Sequence, residues 1–183
     1  MNNENSFLPK DYKEPSGNYL KLTVGEHNFR IMSSAIVGYE YWSKDSKPIR
    51  SKTPFKATPN IKLDNEGNAT RTNFFWAFIV YNHDDDALQI LELTQRSIQK
   101  SIKALIANKK WGDPKGYDLS ITRVGDGFDT EYTVMPNPAT VLPQSVIDRF
   151  LSTKINLEAL YEGANPFQEA GIDEQTDNLP PMA

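Results

Sequence analysis

The 183-residue chain has no cysteine and only two histidines, His27 and His83. Without cysteine there are no disulfides and no thiolate metal sites, and a reducing compartment is the natural setting. No run of about 18 apolar residues is present to cross a bilayer as a helix. The opening MNNENSFLPKDYKE has no apolar signal region, so the expectation is a cytoplasmic protein. No G-x-S-x-G, phosphate loop, H-E-x-x-H or dinucleotide fingerprint occurs, and neither histidine lies near a Ser or Cys nucleophile motif. Both histidines are expected on the solvated surface. Asp84-Asp85-Asp86 could bind a divalent metal, but no other ligands stand at a recognised spacing, so a hairpin turn is expected there. Neither a cofactor nor a metal is expected.

What the chain does have is uneven. Its formal net charge is −4, yet Glu162, Glu169, Asp173, Glu174 and Asp177 carry the deficit in a stretch without a base. Residues 44–71 hold seven bases against three acids, and 96–123 hold seven against two. Between Tyr39 and Tyr81 lie nine of the 20 aromatic residues, interleaved with seven Lys or Arg. Rings that stack on bases beside cations that neutralise phosphates are what sequence-tolerant single-strand binding requires. A β-rich core with a solvated loop has the same composition, so both readings stand at this point.

The chain divides into a flexible lead at 1–18, a folded body at 19–142, a short helical extension at 143–161 and an acidic, disordered tail at 162–183. Alternation in YLKLTV predicts a strand that turns at Gly25-Glu26 into HNFRIM. IVGYEYW (36–42), NFFWAFIVY (73–81) and ALQILEL (87–93) read as further strands. Both faces of 73–81 are apolar, which suits a central strand or a strand with one binding face. Residues 43–72, with three prolines and little periodicity, predict a mobile basic flap. Thr94 is the expected N-cap of a helix that buries Ile98, Ile102, Leu105 and Ile106, wets Gln99, Lys100 and Lys103, and ends near Lys109-Lys110. Tyr117–Val124 and Glu131–Met135 pair around Gly125-Asp126-Gly127. Two short helices follow, at 144–151 and 156–161. Five strands with a helix between the third and fourth is the order of a Greek-key OB barrel, with an α+β sheet as alternative.

FRIMSSAIVGYEYW (29–42), KPIR (47–50) and WGDPKGYDLSITRVGDGFDTEYTVMP (111–136) together resemble the single-stranded DNA-binding proteins of tailed bacteriophages, over roughly Tyr19 to Leu142. The resemblance implies a non-enzymatic OB-fold protein in the cytoplasm of the bacterial host. Such a protein coats strands during replication, recombination and repair with little sequence preference. It also implies Tyr39, Tyr41, Trp42 and Arg50 near the groove and Arg123 on the hairpin side. Residue chemistry adds Lys52, Lys56, Arg71, Phe74, Trp76, Lys110 and Trp111 as DNA-binding candidates, and Arg30 as a phosphate or stacking candidate. The acidic tail is expected to compete with DNA and to recruit replication or recombination proteins, although it lacks the Asp-rich, Phe-ending form of bacterial counterparts. Self-association on DNA is a further expectation. The rivals are an OB-like protein-interaction module and a metal-dependent nuclease built on Asp84–Asp86.

Overall fold

The computed structural model describes residues 17–167. The first sixteen residues of the expected lead, and all of the expected acidic tail beyond Phe167, lie outside the described residues. The described chain is mainly β: seven antiparallel strands and few helices. The strands are β1 (Gly25–Ile31), β2 (Ile36–Trp42), β3 (Pro48–Ser51), β4 (Asn73–Asn82), β5 (Ala87–Leu93), β6 (Asp118–Val124) and β7 (Glu131–Pro136). The sheet runs β3-β2-β4-β1-β6-β7, with β5 on the other side of β4.

β4 is the centre. Along one edge it pairs with β5, and along the other it pairs first with β2 (Tyr39 opposite Phe74) and then with β1 (Ile31 opposite Val80). Its two apolar faces bury into two clusters. Phe78 and Val80 join Phe29, Ile31, Leu91, Leu93, Leu119 and Ile121 under the helix α1 (Arg96–Ala107), which inserts Ile98 and Ile102. Phe75, Ala77 and Ile79 join Ile90 on the reverse face, covered by Leu157 and Leu160. Alternation in a strand sends neighbours to opposite sides, so a run apolar at every position needs a cover on each. The C-terminal segment supplies the second cover through α2 (Gln144–Ser152) and a 3-10 turn, Leu157–Glu162.

Four local expectations are corrected. Residues 19–24 are not a ladder strand: Leu20 and Leu22 alternate because they plug the first core, and only a bridge from Tyr19 to Ile90 touches β5. Gly25-Glu26 therefore opens β1 instead of turning the chain. The 43–72 segment is folded, not a mobile flap. It contributes β3, returns beside β2 through Lys62 N–H to Trp42 O and Lys44 N–H to Asn60 O, and closes a small hairpin by Thr70 N–H to Lys62 O. Helix α1 starts after Gln95, not Thr94, and its C-cap is Asn108, so Lys109 and Lys110 lie beyond its last turn. Gln99 is buried, not wet: its amide donates to Phe74 O at 3.0 Å and Leu93 O at 2.9 Å, pinning helix to sheet.

The Asp triplet does turn the β4–β5 hairpin, and its carboxylates meet protein donors. Asp84 accepts from Asn28 N–H, Asp85 from the Asn82 amide and Asp86 from the Tyr81 hydroxyl. Among the described residues no group of three or more His, Cys, Asp or Glu is disposed to hold a metal. No helix there is long and apolar enough to cross a membrane.

Candidate nucleic-acid interface

Register sorts the aromatic residues by face. Tyr39 faces Phe74 across β2 and β4, with rings edge to face at 5.4 Å, and Val37 faces Trp76. Ile49 and Ser51 of β3 extend the same face opposite Tyr41 and Tyr39. This face continues the first core beyond the reach of α1, so part of it meets water. Val37 is 45% exposed and Phe74 36%. Both would ordinarily be buried, and together with Tyr39 and half-buried Trp76 they make a contiguous apolar strip, the mark of a binding surface.

Beyond Trp76 the strip drops into a cavity of about 420 Å³. Its floor is Trp76 and Phe78, and its walls are Ile102 and Ile106 of α1, the Ser33–Ala35 connector and the turn from Gly112 to Lys115. Trp111, at the start of that turn, is 36% exposed and tilts against Tyr117 at 5.1 Å. Lys110 beside it is exposed.

Three of the candidate cations come from the folded 52–71 segment. Lys56 and Arg71 are exposed. Lys56 follows Phe55, whose ring meets Tyr41 edge-on at 4.9 Å, and Arg71 stands three residues before Phe74. Lys52 is exposed but engaged: its ammonium pairs with Glu158 and lies 5.0 Å over the Tyr161 ring. The hydrogen bond and charge of Glu158 raise the Lys52 pKa above its ordinary value.

The structure thus brings Tyr39, Phe74 and Trp76 together; Lys56, Arg71, Lys110 and Trp111 are exposed in the segments that adjoin them in the chain. It separates the others. Tyr41 shares the face but is buried beneath Phe55, its hydroxyl donating to Pro59 O at 3.0 Å, so it anchors the basic segment. Trp42, 42% exposed, falls on the reverse face by alternation. The Arg50 side chain is largely withdrawn from solvent. Its guanidinium reaches Glu40 at 2.8 Å and Glu92 at 2.9 Å and lies 5.3 Å over Phe75. Burial pushes the Glu92 carboxyl up; Arg50 pulls it down and Glu40 adds to the rise.

Arg123 stands at the far end of β6, about 17 Å of strand from the Trp111 turn, donating to Leu22 O and 3.6 Å from Asp126. Arg30 is buried against Asp118 at 2.6 Å and also donates to Thr140 O. His83 is not simply solvated: it shares Asp118 at 3.1 Å. Burial alone would raise the Asp118 pKa, but hydrogen bonds from Arg30, His83 and Thr140, with the Arg30 charge, leave it below its usual value.

Two groups were not singled out by sequence reasoning. Val37 is an exposed member of the strip that only register reveals, because an isolated valine carries no signal. Phe128 is fully exposed at the β6–β7 turn. Its neighbours Asp126 and Asp129 repel phosphate, which sets it apart from the interface.

No protein-family model and no solved structure gives a significant match to the chain. The chain is 29% identical over 140 aligned residues to the "Probable ssDNA-binding protein" of Escherichia phage T5, covering 63% of this chain and 53% of that protein. It therefore spans about half the length of the curated relative it matches. The resemblance to phage single-stranded DNA-binding proteins, read from the sequence, is borne out by this similarity.

Proposed function

We propose that the protein binds single-stranded DNA with little sequence preference and coats it without catalysis. The observation that carries this reading is the partly uncovered strip of Val37, Tyr39, Phe74 and Trp76, with exposed Lys56 and Arg71 in the segment that leads into β4. Each stacked base contributes roughly 1–3 kcal/mol, so a few rings with several phosphate contacts suffice for useful affinity. The similarity to a phage protein of that description supports it. DNA replication, recombination and repair in the cytoplasm of an infected cell are the processes such coating serves.

An OB-type barrel is the architecture this reading favours. β1 and β2 both pair with β4 in line, parted only by residues 32–35, so they count as one bent strand. That strand with β4, β5, β6 and β7 makes five, α1 falls between the third and fourth, and β3 is an added hairpin arm. The acidic tail remains the proposed competitor for the cations and the contact for replication or recombination proteins, with self-association along the strand as a further part of the proposal. The test is a titration of tryptophan fluorescence with oligo-dT at about 50 mM salt. Quenching and a falling log affinity with log salt, about −0.7 per phosphate contact, are expected; an oligo that fails to bind ends the proposal.

A further inference from the structure

The apolar cavity beyond Trp76 has no role in the strip itself, because bases laid along Tyr39 and Phe74 need not enter it. We infer that it is a seat for one nucleotide of the bound strand, holding a base against Trp76 while the attached phosphates meet the lysines of its rim. This rests on the single-strand reading and adds a discrete site to it.

Three observations point the same way. The cavity's volume of about 420 Å³ falls within the roughly 300–1,000 Å³ usual for small-ligand sites, and it is open and lined by Trp76, Phe78, Ile102 and Ile106. An apolar slot containing an indole suits the π-face of a base. The rim is cationic: Lys109 and Lys110 lie exposed in the turn that joins Ile106 to Gly112, and Lys115 lines the opening. Asp113 is the one acid there, 3.6 Å from the Lys115 ammonium and bonded to the Lys115 backbone N–H. Lys115 and Asp113 of the lining balance each other, so the excess positive charge comes from Lys109 and Lys110 in the adjoining turn, and it favours a phosphate-bearing occupant over a neutral apolar one. Finally, two polar liners are already engaged. The Ser33 hydroxyl donates to Ser34 O and accepts from Ile79 N–H, and Asp113 caps its own turn. Neither is spare to read the edge of a base, which leaves the exposed Ser34 hydroxyl as the one uncommitted side-chain hydroxyl of the lining, so the seat discriminates weakly among bases that stack.

The experiment compares the full chain with two variants at exposed rim positions, Ala35→Leu to fill the seat and Ile106→Glu to charge it. Ala104→Glu, on the same helix but away from the lining, controls for the added charge. With long oligo-dT, each rim variant should weaken binding roughly 5- to 150-fold, the equivalent of one stacked base, at an unchanged melting temperature; Ala104→Glu should change it far less. In a Trp42→Phe/Trp111→Phe background, the remaining Trp76 should be quenched by oligo-dT. Wild-type binding with unaltered affinity in both rim variants overturns the seat and leaves the strip reading intact; an unquenched Trp76 overturns the seat and also removes Trp76 from the strip. Absence of wild-type binding removes both.

Discussion

The two faces of the β2–β4 pair carry similar side chains and meet opposite fates. On one face Val37, Tyr39, Phe74 and Trp76 are left partly in water. On the other, Phe75 and Ala77 are buried and an Arg50–Glu40–Glu92 cluster is sealed beside them. Hydrophobicity does not separate the faces, since adjacent residues of one strand supply both. Coverage separates them: Leu157, Leu160 and Tyr161 close the reverse face, whereas α1 reaches Phe74 through the Gln99 amide at its carbonyl and leaves its side chain 36% exposed. A cation beside an aromatic therefore means different things on each side. Arg50 over Phe75 is architecture; Lys56 and Arg71, in the segment between β3 and β4, are exposed to solvent.

The sharpest way to break this comparison is to remove Arg50. Arg50→Ala leaves the buried Glu40 and the part-buried Glu92 without their cation and should cost about 3–5 kcal/mol in urea unfolding, with DNA affinity of the folded fraction preserved. Next in size is the open face. Phe74→Ala or Tyr39→Ala should each weaken oligo-dT binding by about 1–3 kcal/mol while shifting stability by less than Arg50→Ala does. If the ring deletions unfold the protein and Arg50→Ala abolishes binding, the two faces have been assigned the wrong way round.

A smaller effect distinguishes the buried acids by pH. Asp118 has a lowered pKa in the folded chain, so its stabilisation is present above the ordinary aspartate value and is lost as pH falls through the lowered one. Glu92 has the opposite sign: its pKa is raised, so its ionisation costs stability as pH rises from the ordinary glutamate value through the raised one. Urea unfolding across the acid range should therefore show a shallower acid loss in Asp118→Asn, and a smaller penalty near neutrality in Glu92→Gln, which keeps an acceptor for Arg50. Smallest of all, Lys56→Ala or Arg71→Ala should reduce the salt slope by about 0.7 each with no measurable change in melting temperature.

Much of this was legible in the sequence where the signal is local. NFFWAFIVY, ALQILEL and the Gly125-Asp126-Gly127 hairpin carry their periodicity and turn residues within a few positions, and all three form as read. What was lost is what depends on distant partners. β3 and the 52–71 segment are ordered by backbone bonds to Trp42 and Lys44, which leave no pattern in their own composition. Gln99 reads as a wet residue until the carbonyls of Phe74 and Leu93 arrive to meet it. The aromatic stretch identified the neighbourhood of the exposed strip. Adjacent Tyr41 and Trp42 then go to opposite sides, and the first is roofed by Phe55, which composition cannot express.

Gly38 lies between two exposed members of the neighbourhood, Val37 and half-buried Tyr39, but points the other way. A Cβ there would collide with the Ser51 carbonyl oxygen and press on the Phe75 ring. Any larger residue would push β3 off β2, and with it the chain that carries Lys52 and Lys56. Position 38 is thus shut to evolutionary drift for packing reasons, while 37 and 39 are open to change as the ligand demands. Related chains should carry an invariant glycine between two positions that vary among stacking and apolar residues, a signature that an alignment of such chains can read.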